Sequence, residues 1–117
     1  MSKLSTHVLD TARGRPAAGV AIELSVADGD GWRVVARATT NADGRTDAPL
    51  LAGEAVRPGR YRLRFAAGDY FRRLGVELPD PPFVDVVALD FGIAEAGGNY
   101  HVPLLVSPWS WSTYRGS

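Results

Sequence analysis

The 117-residue sequence contains no cysteine. Disulfide scaffolds, thiolate metal sites and cysteine nucleophiles are therefore excluded. It contains only two histidines. These are the only side chains whose ordinary pKa lies near neutrality, so acid/base chemistry at pH 7 is expected to pass through His7 or His101. A charge surplus is also missing, because thirteen basic and thirteen acidic residues cancel. Without a basic excess there are few counterions to release from a nucleic acid, and no nucleic-acid partner is expected. The neutral balance makes self-association plausible. No apolar run reaches the ~18 residues needed to span a bilayer, so no membrane partner is expected. "MSKLSTHVLD" lacks the apolar segment of a secretory leader, and the last three residues are not a peroxisomal address. A cytoplasmic protein is the expectation.

What is present is near the globular average, with 45% hydrophobic and 22% charged residues. The length suits one domain, residues 1–117, with a real core. Thirteen glycines and eight prolines cut the chain into short runs. "STHVLD" (5–10) reads as a strand ending at the turn Gly14-Arg15-Pro16. "VAIELSVAD" puts Val20, Ile22, Leu24 and Val26 on one face, the period of a half-buried strand. Gly29 to Gly31 turns the chain, and "WRVVARATT" returns with Trp32, Val34, Ala36 and Ala38 on one side. "NADGR" is a second turn, with Gly44 suited to positive φ. "GRYRLRFAAGD" sets Tyr61, Leu63 and Phe65 against Arg60, Arg62 and Arg64. "YFRRLGVELP" (70–79) breaks the period and suits one or two helical turns closed by Gly75. "FVDVVALDFGI" (83–93) is a strand again, and "YHVPLLVSP" and "WSWSTYRGS" form a final pair about Ser107 and Pro108. Seven or eight short strands and one short helix predict an all-β sandwich or barrel.

Strict alternation puts His7 on one face with Ser5 and Leu9, where it could be an ordinary hydrogen-bonded surface residue. Arg45 follows a hairpin glycine, a setting equally common in domains that catalyse nothing. His101 precedes Pro103, which cannot donate to a ladder and so predicts an edge or irregular strand. There a histidine either faces solvent idly or lines a cleft. The last residues supply Tyr114, Arg115, Ser117 and the terminal carboxylate. Chain ends usually fray, but Trp109, Trp111 and Tyr114 are costly to leave exposed, so this end is expected to be docked.

Other chemistries find little support. Two histidines without a short ligand spacing do not predict a zinc site, and no metal site is expected. No G-x-S-x-G elbow accompanies a conceivable Ser-His-Asp triad. "GEAVRPGR" is not a phosphate loop, and "YFRR" is one aromatic-basic cluster on a neutral protein.

Four blocks occur together: "LSTHVLD", "TNADGRTD", "GDYF" and "YHVPLLVSPWSWSTYRGS". With them the sequence resembles the 5-hydroxyisourate hydrolases, the transthyretin-like enzymes of urate breakdown, over essentially its whole length. The terminal "YRGS" is the most specific block, because it separates these enzymes from the hormone-carrying transthyretins. The resemblance implies a prealbumin-like sandwich of two four-stranded sheets with one short helix. It implies a homotetramer with sites in a channel at the dimer–dimer interface. It implies His7, Arg45, His101 and Ser117 as catalytic residues, and His7, Arg45, Tyr114 and Arg115 as substrate contacts. No metal or organic cofactor is implied. The chain departs from many relatives in the glycine-rich "AEAGGNYH" and in Trp109 and Trp111, which bear on loop rigidity and substrate access.

The implied reaction opens the six-membered ring of 5-hydroxyisourate by hydrolysis of a cyclic amide. Water needs a base for this at neutral pH, which suits histidine, and the developing oxyanion needs a fixed cation, which suits Arg45. Either histidine could be the base. Two rivals stand beside the hydrolase: a non-catalytic carrier of small aromatic molecules in the same channel, and a structural sandwich module appended to larger proteins. The "YRGS" tail beside two histidines favours the enzyme over the carrier, and the linker-free chain argues against the module.

Overall fold

A computed structural model describes residues 2–116. In chain order the elements are β1 (Lys3–Asp10), β2 (Arg15–Pro16), β3 (Ala21–Asp28), β4 (Gly31–Thr39), β5 (Leu51–Ala52), β6 (Gly59–Ala66), α1 (Ala67–Arg73), β7 (Val86–Ile93), β8 (Asn99–Val106) and β9 (Trp111–Thr113). A 3-10 turn, Gly53–Ala55, follows β5. One sheet runs β2-β1-β8-β9, with β5 added to β1, and the other runs β4-β3-β6-β7. The expected two-sheet sandwich with one short helix is what forms. The first sheet has a fifth strand because the two-residue segments β2 and β5 both pair with β1.

The core lies between the sheets. Leu4, Val8, Val102 and Leu104 of one sheet meet Ile22, Leu24, Leu63, Phe65 and Leu89 of the other, all buried. Fully burying one such side chain stabilises the fold by roughly 1.5–3 kcal/mol. In β1 the alternation is strict: Leu4, Thr6, Val8 and Asp10 point inward, and Ser5, His7 and Leu9 point outward, half-buried. The parallel pairing of β1 with β8 then sets Ser5 opposite His101 and His7 opposite Pro103. All of β2 to β7 and α1 lie between these two strands in the chain, so Ser5 and His101 are neighbours 96 residues apart.

Two sequence expectations are corrected. Trp32 and Val34 do not share a face with Ala36 and Ala38. A bulge between Leu24 and Ser25 skips Val35, which turns inward and leaves Trp32 and Val34 exposed. Trp32 instead lies under the Arg62 guanidinium, which is 4.2 Å from its ring and forks onto Asp90 at 2.6 and 3.0 Å. The helix spans Ala67–Arg73, three residues earlier than the pattern predicts. Gly68 lets it start there, since a Cβ would lie 2.6 Å from the Asp85 carboxylate. Of the two settings expected for Pro103, the irregular one forms and the edge does not, because β8 lies between β1 and β9. Its missing N–H faces β9, where regular pairing stops after Leu104↔Thr113.

α1 is anchored through the buried carboxylate of Asp10. Tyr70 donates its hydroxyl proton to Oδ2 at 2.8 Å, and the Arg13 amide donates to Oδ1 at 3.0 Å. Burial first, and then this bond, push the Tyr70 phenol up to about 12.

Candidate active site

The candidate residues come from three separate segments. The first is β1, whose outward face carries Ser5 and His7. The second is the turn after Thr39. Asn41 organises it: its Oδ1 accepts the amides of Asp43 at 2.9 Å and Arg45 at 3.2 Å, and its own amide donates to the Arg45 carbonyl at 2.7 Å. Gly44 is required in this turn. Its φ is +74°, and a Cβ there would collide with the Val8 carbonyl oxygen. The Val8 amide donates to the Gly44 carbonyl at 2.8 Å, which draws the turn onto β1 and bridges Arg45 to His7. The third segment is β8 with the tail that follows β9. The pairing Val106↔Trp111 and Leu104↔Thr113 breaks opposite Pro103 and resumes in the same register as His101↔Gly116. There the Gly116 amide donates to the His101 carbonyl at 2.7 Å.

His7, Arg45 and His101 thus meet on the outer face of the first sheet. Strand spacing and rise put the two histidine Cα atoms roughly 8 Å apart. His7 Nε2 lies 2.8 Å from the Asp43 carbonyl oxygen, and His101 Nδ1 lies 2.8 Å from Ser5 Oγ. Partial burial, then the charges of Arg45, His7 and Lys3, hold His101 below its ordinary pKa. A neutral imidazole with an arginine beside it can take a proton while the guanidinium stabilises a developing anion.

The other expected residues fall out differently. Tyr114 is 60% exposed at the break opposite Pro103. Arg115 turns to the other face of β8, where its guanidinium lies 4.4 Å from the Tyr100 ring and donates to the Asn99 carbonyl at 3.2 Å. Arg115 is not brought together with the histidines. Ser117 lies outside the described residues. The tail is docked, but not by its tryptophans, since Trp109 is 60% and Trp111 41% exposed. Backbone pairing to β8 and the Arg115 contacts hold it. The glycine-rich stretch before His101 is pinned as well. The Tyr100 hydroxyl bonds both the amide and the carbonyl of Glu95 at 3.2 Å, and Ser2 Oγ donates to Ala96 at 2.8 Å.

Sequence reasoning missed Ser5. Its signal was present, since alternation puts it on the face of His7, but its partner is set by a strand register that one sequence does not display. Two larger concavities, of about 500 and 570 Å³, are lined by Val26, Val35, Leu51 and Tyr61 and by Trp32, Arg60 and Phe91 respectively, and neither includes His7, Arg45 or His101. The histidine face is an open surface of the single chain. Among the described residues, no group of three or more His, Cys, Asp or Glu side chains comes together to hold a metal ion. Among the same residues, no helix is long and apolar enough to cross a membrane.

Two sheets packed face to face, one short helix, and two histidines with an arginine on one outer face define a transthyretin-like β-sandwich with the makings of a hydrolytic site. The chain belongs to the HIUase/Transthyretin family, whose model matches residues 4–116. A 5-hydroxyisourate hydrolase of Ralstonia nicotianae is 58% identical over 117 residues, all of both chains. The solved structure of Klebsiella pneumoniae 5-hydroxyisourate hydrolase superposes with a TM-score of 0.82 at 41% identity, covering all of both chains. Transthyretin from Sparus aurata superposes with a TM-score of 0.87 at 30% identity, covering 99% of this chain and 97% of that one.

Proposed function

We propose that this protein hydrolyses 5-hydroxyisourate to 2-oxo-4-hydroxy-4-carboxy-5-ureidoimidazoline in urate degradation. The full-length likeness to 5-hydroxyisourate hydrolases supports the reaction. The observation that carries the mechanism is the convergence of His101, His7 and Arg45 on one sheet face. His101, kept neutral, takes a proton from water through Nε2 as the oxygen attacks the cyclic amide carbonyl. The carbonyl electron pair moves onto oxygen, and the Arg45 guanidinium stabilises that oxyanion. His7, held through its Nε2–H on the Asp43 carbonyl, presents the Nδ1 lone pair and accepts a hydrogen bond from substrate or water. As the tetrahedral intermediate collapses, the C–N bond breaks and the proton held by His101 passes to the leaving nitrogen. Tyr114 is assigned to the wall of the pocket, and Ser117 to a hydrogen bond with substrate or water. Arg115 supports that wall from behind through Tyr100.

The reading includes a homotetramer whose dimer–dimer interface covers these faces. Its support is physical. An open sheet face cannot exclude water, and oxyanion stabilisation is strong where water is excluded. The reading also places the protein in the cytoplasm.

The test generates 5-hydroxyisourate in place from urate with a urate-oxidising enzyme and follows its ultraviolet absorbance. Faster decay with the protein, lost in His101→Asn, is expected. Decay no faster than in buffer, from folded protein, would replace the hydrolase with a carrier of small aromatic molecules.

A further inference from the structure

We propose that Ser5 is a positioning residue that fixes the His101 ring with Nε2 turned toward substrate. The proposal rests on the reading of His101 as the base.

Ser5 stands directly opposite His101 in the parallel register of β1 and β8, on the same outward face. Its Oγ lies 2.8 Å from Nδ1, in a part-buried setting. Among the described residues no protein group bonds to the other ring nitrogen. The hydroxyl therefore decides two things. It stops rotation of the ring about its two side-chain dihedrals, and it decides which nitrogen carries the proton of the neutral ring. With Ser5 Oγ accepting from Nδ1–H, the free lone pair is on Nε2, as a base requires. With Ser5 donating instead, Nε2 would carry the proton and could only donate.

The ring is held from a second side. A Cβ on Gly116 would lie 2.6 Å from His101 Cδ2 and 3.2 Å from Cγ, so the tail backbone lies against the edge next to Nε2. Ser5 holds one edge of the imidazole by hydrogen bond and Gly116 limits the other by contact. Ring and strand are fixed together, because the Gly116 amide also donates to the His101 carbonyl. Burial and the neighbouring cations keep the ring neutral, so a tautomer choice exists near pH 7.

The test compares Ser5→Ala and Ser5→Thr with the unaltered protein. The chain has only two histidines, so long-range proton–nitrogen correlation spectra resolve both rings. The unaltered protein is expected to show His101 protonated at Nδ1. Ser5→Ala is expected to mix the tautomers and to lower kcat by about 10- to 100-fold, as is usual when a group that orients a reactive histidine is lost. KM should change little. Ser5→Thr, which keeps the hydroxyl on a strand-compatible residue, should restore both readouts. A His101 ring protonated at Nε2 in the unaltered protein overturns the proposal. So does a Ser5→Ala protein with unchanged tautomers, or one with unchanged kcat. The spectra need no substrate. An unaltered protein without hydrolase activity would therefore count against the function, while the tautomers still judged the Ser5–His101 link.

Discussion

His7 Nε2 lies 2.8 Å from the carbonyl oxygen of Asp43, and that bond can form in one direction only. A carbonyl oxygen accepts and never donates, so Nε2 carries the proton. The ring ties β1 to the turn that delivers Arg45, and a neutral His7 has its lone pair on Nδ1.

This separates a positioning part from a chemical part at His7. Glutamine can place an N–H near the Nε2 position but offers no ring nitrogen at the Nδ1 position. His7→Gln should keep the melting temperature within a few degrees and still lower turnover by about 10²-fold or more. His7→Ala should lose turnover and also melt earlier, since the turn then keeps the Val8–Gly44 backbone bond but loses the ring's bond to Asp43. Thermal melts and kcat for the pair check this. A His7→Gln protein with full turnover would reduce His7 to a tie.

The pH profile follows from His101. Burial, then Arg45, His7 and Lys3, hold its pKa below 6.5. Its neutral, base-competent form therefore persists below pH 6.5, and the acid limb of kcat/KM should fall on the acid side of that value. Lys3→Gln removes one cation and should move the limb upward, toward 6.5 but not past it, because burial is the larger cause. The rate at pH 8 should not change. A pH–rate series on both proteins measures this, and a limb that moved downward would contradict the electrostatic account.

Tyr70 gives a stability prediction at the other end of the scale. Its pKa is pushed up to about 12, so the folded state holds this proton where the unfolded chain has begun to lose it. Its contribution is full below pH 10 and is lost as pH rises through about 12. Tyr70→Phe should flatten that alkaline fall. It should also cost about 1–3 kcal/mol at pH 7, because buried Asp10 loses one of its two donors. Urea midpoints at pH 7, 9 and 11 test both parts. Parallel pH curves for the two proteins would assign the alkaline loss to other groups.

The strands with simple periodicity were legible in the sequence. β6 alternates without a break, so Tyr61, Leu63 and Phe65 point inward as the pattern requires, and β1 keeps the alternation that sets Ser5, His7 and Leu9 against Thr6 and Val8. β4 was not legible, because a bulge is one skipped residue and Val35 looks no different from Val34. β2 and β5 are two residues long, too short for any period. The helix start was hidden because Ala67 and Gly68 continue a strand pattern and became helical through contact with Asp85. For the site, residue types and resemblance pointed to His7, Arg45 and His101. The pairing of Ser5 with His101 depends on a parallel register between residues 96 apart, and only the folded chain displays it.

The tail supplies the last prediction. Residues 114–116 add one backbone bond to His101, one bond from Arg115 to Asn99 and the stacking of Arg115 on Tyr100. β9 itself stays paired without them, and Thr113 Oγ1 still donates to the Pro103 carbonyl at 2.7 Å. Deleting Tyr114 to Ser117 should therefore cost only about 1–3 kcal/mol of stability, a shift of a few degrees in melting. Turnover should fall by about 10²-fold or more, because His101 loses its backbone restraint and the wall is gone. Gly116→Ala sharpens the test. It deletes no tail group but adds a methyl 2.6 Å from His101 Cδ2, so either the ring or the tail must shift. Lowered kcat at an unchanged melting temperature in Gly116→Ala would show that the tail acts through the position of His101. If the deleted chain lost folding as steeply as turnover, and Gly116→Ala were fully active, the tail would be a structural clasp.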